Sequence, residues 1–242
     1  MPVAKAPQKL PVPDATASEF ITVMAHQLRT PLSAVKWVMN MLLAGDVGEL
    51  TPEQKSLLLK GYQSNERMIS LVNDMLNVAL IEAGRLRFHI APRSLEDLVN
   101  EVMLDFFGPI QRKKIRFALN VAPPTLPRVS LDADRMKTVL HSLLENAVQY
   151  TPVNGSITLA LEKDGKQVSV TIQDSGIGIP KPQQKKIFSR FFRGDNAVRM
   201  ETDGSGLGLY VVRRIIEQHG GRVWFESEEG KGSAFHFTLP VA

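Results

Sequence analysis

Between Ile21 and Leu42 the apolar residues fall in alternating steps of four and three: Ile21, Ala25, Leu28, Leu32, Val35, Met39 and Leu42. One residue further on, Thr22, His26, Arg29, Ser33, Lys36 and Asn40 repeat the same steps, and all are polar. Two such stripes describe one long helix that packs along a seam and turns its other stripe to solvent. Its expected span is about Ala17 to Ala44. Pro31 lies inside it, where a missing N–H and a ring clash cost about 3 kcal/mol or more, so a local kink is expected five residues after His26. His26 reads as a solvent-facing histidine on a rigid mount rather than a core residue.

Gly45-Asp46-Val47-Gly48 stops this helix. Thr51, Pro52 and Gln54 then write a capping box with proline at the first helical position, and Gly84 is a natural C-terminal stop. On the second helix Leu57, Gly61, Ser64, Met68, Leu71, Met75 and Val78 share a four-three seam, with Gly61 and Ser64 permitting close approach. Two amphipathic helices joined by a short loop make an antiparallel hairpin, and a hairpin alone cannot bury both seams. Two hairpins from two chains form a four-helix bundle, so a homodimer is expected.

From about residue 90 the pattern changes. Ser94, with Asp97 three residues on, marks a helix start. A strand is expected near Arg116–Val121 and a helix near Ala133–Gln149. Two strands near Ser156–Leu161 and Gln167–Gln173 flank a hairpin signal at Asp164-Gly165. A helix near Gly206–Gln218 leads into strands near Arg222–Glu226 and Ala234–Leu239. Helices beside a mostly antiparallel sheet make a two-layer α+β domain. The expected organisation is a proline-bearing tail over 1–17, the hairpin over 18–84, a hinge linker over 85–92 and the α+β domain over 93–242.

Composition narrows the function classes. The 242 residues contain no cysteine, which removes disulfide and thiol chemistry, and the net charge is only +4. The basic residues are scattered; the densest cluster, Arg112-Lys113-Lys114, is expected to be solvated, and nucleic-acid binding is not indicated. No apolar run reaches the roughly 20 residues that span a bilayer, and no signal peptide is visible. A cytoplasmic location is expected.

Three short segments carry chemistry. In Leu143-Leu144-Glu145-Asn146-Ala147, followed by Tyr150-Thr151-Pro152, an asparagine on a helix can offer its amide oxygen to magnesium beside a phosphate chain; alone it would be a surface residue. Asp174-Ser175-Gly176-Ile177-Gly178 follows a strand, so glycines can approach a planar ring while the carboxylate accepts from an amino group such as that of adenine; alone it would be a plain turn. Gly204-Ser205-Gly206-Leu207-Gly208 opens a helix, whose free N–H groups attract phosphate.

Together, in this order and after an exposed His helix, these segments resemble the kinase core of the bacterial-type sensor histidine kinases, over residues 18 to 242. The hairpin resembles the dimerisation and histidine-phosphotransfer domain. The remainder resembles the catalytic ATP-binding domain shared with gyrase, Hsp90 and MutL. The resemblance implies His26 as phosphoacceptor, Asn146 as magnesium ligand, and Asp174 with Gly176 and Gly178 at adenine. Phe188, Phe191 and Phe192 match the aromatic box before the ATP lid, and Arg193 ends it near the terminal phosphate. The lid would be 194 to about 203. Tyr150 and the stretch Gly204, Gly206, Leu207 and Gly208 complete the nucleotide side, and Gly230-Lys231-Gly232-Ser233 matches the last box. Thr30 matches a position that orients water for dephosphorylating a partner aspartate. The implied cofactors are ATP and magnesium; the implied partner is a response-regulator receiver domain.

The sequence departs from the family pattern at three places. Gln27 stands where Glu or Asp usually follows the phosphoacceptor; it can hydrogen-bond the ring but cannot act as a base at neutral pH. Ser142 replaces the first box asparagine, and Gln149 a lysine that contacts phosphate. These departures keep open a non-catalytic, ATP-binding dimeric docking module. A clamp-type ATPase of the same superfamily would need a Glu where Ser142 stands. His89, His141, His219 and His236 match no acceptor position and are assigned to structure or surface.

Overall fold

A computed structural model describes residues 15–122, 125–200 and 204–242. The side chains of residues 15–22 and of His26 lie outside the described residues, and with them those of Ile21 and Thr22 in the two stripes. Most of the tail expected over 1–17 also falls outside. The chain divides into two compact units, 1–86 and 87–242. No helix among the described residues is long and apolar enough to cross a membrane.

The first unit is the helical hairpin. Helix α1 (Ala15–Ala44) runs continuously through Pro31. Helix α2 (Pro52–Glu82) begins with the full capping box: Thr51 Oγ1 accepts from the Gln54 N–H, and Gln54 Oε1 accepts from the Thr51 N–H. Gly84, at φ +63°, closes it. The two helices meet along Ala25, Asn65, Val72, Val78 and Ala79, all buried. The Met39 thioether lies over Gly61, its methyl 3.2 Å from where a Cβ would stand. Polar cross-links pin the register. Asn65 Nδ2 donates to the Leu32 carbonyl at 3.0 Å, Lys36 pairs with Glu66 at 3.0 Å, and Arg29 Nη2 donates to Asn73 Oδ1 at 2.5 Å. The α1 seam is therefore split. Ala25 is buried and Leu32, Met39 and Leu42 half-buried, whereas Leu28 and Val35 remain exposed, as do Leu57, Met68, Leu71 and Met75 of α2.

The second unit is a two-layer α+β domain. Its elements are β1 (Ala91–Arg93), α3 (Leu95–Met103), α4 (Phe107–Arg112), β2 (Arg116–Ala122), β3 (Val129–Leu131), α5 (Ala133–Tyr150), β4 (Ser156–Asp164), β5 (Gln167–Asp174), a 3-10 turn (Lys181–Lys186), α6 (Asp195–Met200), α7 (Gly208–Gln218), β6 (Arg222–Glu228) and β7 (Gly232–Pro240). The main sheet has the order β2-β4-β5-β7-β6. Only β2 and β4 run parallel, because a crossover through β3 and α5 separates them, whereas the other pairs are antiparallel. The β4–β5 loop is Gly165-Lys166, one residue later than expected, with Asp164 paired to Gln167. Short β1 pairs with β3 in a separate two-stranded sheet.

Alternation puts one face of the sheet inside. Leu159, Leu161, Val168, Val170, Phe237 and Leu239 are fully buried, under α5 (Met136, Val139, Leu140, Leu143, Leu144) and α7 (Val211, Val212, Ile215, Ile216). Each such side chain contributes about 1.5–3 kcal/mol of burial. A polar pin joins these helices. Asp132 caps α5 through the Arg135 N–H and accepts from the His89 N–H at 2.7 Å. Its own N–H donates to His219 Nε2 at 3.0 Å, while His219 Nδ1 lies 2.8 Å from the Ile215 carbonyl. Nε2 as acceptor and Nδ1–H as donor fix the neutral tautomer. His219 is structural, as expected.

Candidate functional site

Residues 142, 146 and 150 are one turn apart and so line one stripe of α5. Ser142, Asn146 and Tyr150 are all half-buried on that stripe, while Leu143, Leu144 and Ala147 turn into the core. The Asn146 side chain has no hydrogen-bond partner among the described residues.

At the Tyr150 end stands the turn after β5. Asp174 is 8% exposed. Its Oδ1 accepts from the Gly176 N–H at 2.8 Å and the Ser233 N–H at 3.3 Å; Oδ2 has no partner among the described residues. Burial pushes the carboxyl up to about 6, against the two N–H groups that hold it down. The turn reaches α5 directly: a Cβ on Gly176 would stand 2.6 Å from the Tyr150 carbonyl oxygen. Gly178 sits at φ +63°, where a Cβ would be 2.0 Å from the Glu228 carbonyl oxygen, so no other residue fits.

At the Ser142 end stands the start of α7. A Cβ on Gly208 would lie 2.6 Å from Ser142 Oγ, so glycine lets the two helices touch here. No side chain caps α7, and its first N–H groups stay available to an anion. Leu207 is fully buried, and its N–H donates to Ser205 Oγ at 3.2 Å; only its backbone borders the site. Gly206 packs on the Phe191–Phe192 backbone, and Gly204 on the Arg193 guanidinium, 3.1 Å from its Cβ position. From Ser142 to Tyr150 the stripe is about 12 Å long.

The aromatic segment divides in role. Phe188 makes an edge contact with Phe225, which stacks on Phe235, so it belongs partly to the core. Phe192 is half-buried. Phe191 is 67% exposed at φ +58°, a strained conformation for an aromatic residue. Within the expected lid, α6 is fastened at its first turn. Gln183 Nε2 donates to Asp195 Oδ2 at 2.6 Å, Gln183 Oε1 accepts from the Asp195 N–H at 3.1 Å, and Asn196 Nδ2 donates to the Gly178 carbonyl at 2.9 Å. Lid residues 201–203 lie outside the described residues.

Sequence reasoning missed several contributors. Ser233 serves through its N–H on Asp174, and its hydroxyl lies 2.9 Å from Ser227 Oγ. Ser175 Oγ accepts from the Ser156 N–H at 2.8 Å and anchors the turn to β4. Lys113, expected among solvated charges, is instead drawn onto the end of α5. Ser175 and Ser233 stood inside the quoted boxes; Lys113 carried no signal. The helical hairpin holds the remaining candidates on α1. Gln27 and Thr30 are exposed, and the backbone of His26 is helical, its side chain being outside the described residues. No cluster of three metal-ligating His, Asp or Glu residues occurs among the described residues.

The chain matches two family models, His Kinase A (phospho-acceptor) domain over residues 16–84 and Histidine kinase-, DNA gyrase B-, and HSP90-like ATPase over residues 131–242. It is 37% identical over 227 residues to the adaptive-response sensory kinase SasA of Synechococcus sp. (strain JA-3-3Ab), covering 91% of this chain and 58% of that one. Among solved structures it resembles full-length ShkA in complex with AMPPNP, with a TM-score of 0.73 at 31% identity over 93% of this chain and 46% of that one. It also resembles histidine kinase ThkA in complex with the response regulator TrrA, with a TM-score of 0.63 at 27% identity over 93% and 61%. The chain thus spans about half the length of these relatives. A phospho-acceptor hairpin followed by an ATPase-type α+β domain, matched in both halves and in order, places this chain in the sensor histidine kinase family.

Proposed function

We propose that the chain binds ATP along the polar stripe of α5, phosphorylates His26, and passes the phosphoryl group to an aspartate of a response-regulator receiver domain. The observation that carries this reading is Asp174. One carboxylate oxygen is fixed by two backbone N–H groups and the other is left for a ligand, in a turn whose glycines leave room for a flat ring. The adenine amino group is a donor that fits Oδ2. The triphosphate then runs toward the α7 N–H groups, with Gly204, Gly206 and Arg193 beside it. AMPPNP in the ShkA complex and TrrA in the ThkA complex support the nucleotide and the partner.

Asn146 fits a magnesium ion, which takes oxygen ligands and keeps most of its shell as water and substrate phosphate. The ion would supply charge neutralisation on the phosphates. For the transfer itself, a ring nitrogen of His26 attacks the γ-phosphorus. A P–N bond forms, the bond to the β–γ bridging oxygen breaks, and ADP departs with that electron pair. Gln27 orients the ring and takes no proton, so the ring proton leaves to solvent. Positioning and charge stabilisation carry the catalysis. Thr30 would serve the reverse traffic, orienting water at the phosphorylated partner; Thr30→Ala should slow partner dephosphorylation.

The deciding test is labelling from γ-labelled ATP with magnesium in the wild-type chain and in His26→Ala. Acid-labile label in the wild type alone is the expected result. ATP binding with label in neither overturns the kinase reading of this chain as it stands and leaves the docking module or an enzyme that needs its input signal.

A further inference from the structure

Arg112-Lys113-Lys114 ends α4, and its middle residue is a structural cation. Lys113 Nζ donates to three backbone carbonyls, of Val148 at 2.8 Å, Gln149 at 2.7 Å and Thr151 at 3.1 Å. The last turn of α5 exposes four carbonyls, those of residues 147–150. Ala147 accepts from the Thr151 N–H, Val148 and Gln149 from Lys113, and that of Tyr150 lies against Gly176. The loop is stitched further: the Asn154 N–H donates to the Lys113 carbonyl, and the Arg116 N–H to the Gly155 carbonyl, each at 2.9 Å. Lys114, at φ +51°, makes the reversal that presents Lys113 to this end.

We infer that Lys113 is a positioning residue for nucleotide binding, holding the last turn of α5 so that Tyr150 seats Gly176 and, through its N–H, the carboxylate of Asp174. The inference rests on the ATP reading of that site. A positive charge suits the negative end of a helix, and an ammonium can satisfy three converging acceptors. Without it, three part-buried carbonyls lose that donor and the turn can drift from Gly176. Lys113 touches no substrate, so its effect belongs in affinity rather than in turnover.

The test uses the full chain, with ATP affinity by calorimetry and KM and kcat from His26 labelling. Lys113→Met should raise the ATP Kd and KM about tenfold with kcat within twofold of the wild type. Lys113→Arg, whose planar fork reaches two of the three carbonyls, should recover at least half of that loss on a logarithmic scale. A folded Lys113→Met with wild-type Kd overturns the inference, as does a fall in kcat with KM unchanged, or no recovery in Lys113→Arg. If Lys113→Met does not fold, Lys113→Gln decides: a rise of at least threefold in Kd supports the role, and an unchanged Kd refutes it. A wild-type chain that binds no ATP overturns the site reading beneath it.

Discussion

Asp174 is the residue on which site and stability pull in opposite directions. Its carboxyl sits at about 6 because burial disfavours the charge, and the unfolded value is near 3.8. The folded state therefore holds its proton more tightly. The stability this brings is complete below pH 4 and is lost as pH rises through 6, so at pH 7 the ionised group costs about 3 kcal/mol. Asp174→Asn keeps the acceptor for Gly176 and Ser233 and removes the charge. It should raise the unfolding midpoint of the ATP domain at pH 7 by several degrees, the gain shrinking toward pH 4, while ATP binding is lost. A second expectation concerns the hairpin. Gln27→Glu supplies the missing base beside His26 and should raise the initial rate of autophosphorylation about tenfold or more; an equal or slower rate would sink that role. Asp174, Asn146 and the glycines were legible because each lies within a short sequence box. Lys113 was not, because its acceptors lie 35–38 residues away and converge only when α4 meets α5.

Among the elements, long periodic segments were readable and short ones were not. The α2 capping box formed as its residues dictate, since Thr51, Pro52 and Gln54 act locally. Thr51→Ala should cost the hairpin about 1 kcal/mol, seen as a lower urea midpoint by helical circular dichroism. Strand β1 contains Pro92 and has three residues, and β3 has only three more; both are too short for a period to stand out in the sequence, and they are held by pairing with each other and by the Val129–Val241 bridge. Helix α4 carries Gly108 and Pro109, which argue locally against a helix; burial of Ile110 holds it. Helix α6 is fixed by Gln183 and Asn196 through side-chain bonds that no hydrophobic pattern encodes. The α1 seam reads correctly as a helix. Which of its residues face α2 depends on the crossing of the pair, which is why Leu28 and Val35 stand outside it.

At the scale of the molecule, Leu28, Val35, Leu57, Met68, Leu71 and Met75 stand exposed on the hairpin, apolar area that pairing with a second copy would cover. The wild-type chain should run at dimer mass in light scattering at micromolar concentration, and Leu71→Glu at monomer mass. The two units are built to different depths. Among the described residues few apolar side chains are buried in the hairpin, whereas the domain from residue 87 on has a continuous core under α5 and α7. Heat should therefore dismantle the chain in two separate calorimetric events. Where two hairpins pair, the lower one is bimolecular, so it climbs with protein concentration and ignores nucleotide. The upper one ignores concentration and climbs with ATP by RT ln(1 + [L]/Kd). Scans over a series of protein and ATP concentrations would then report assembly and ligand binding side by side, each on its own transition.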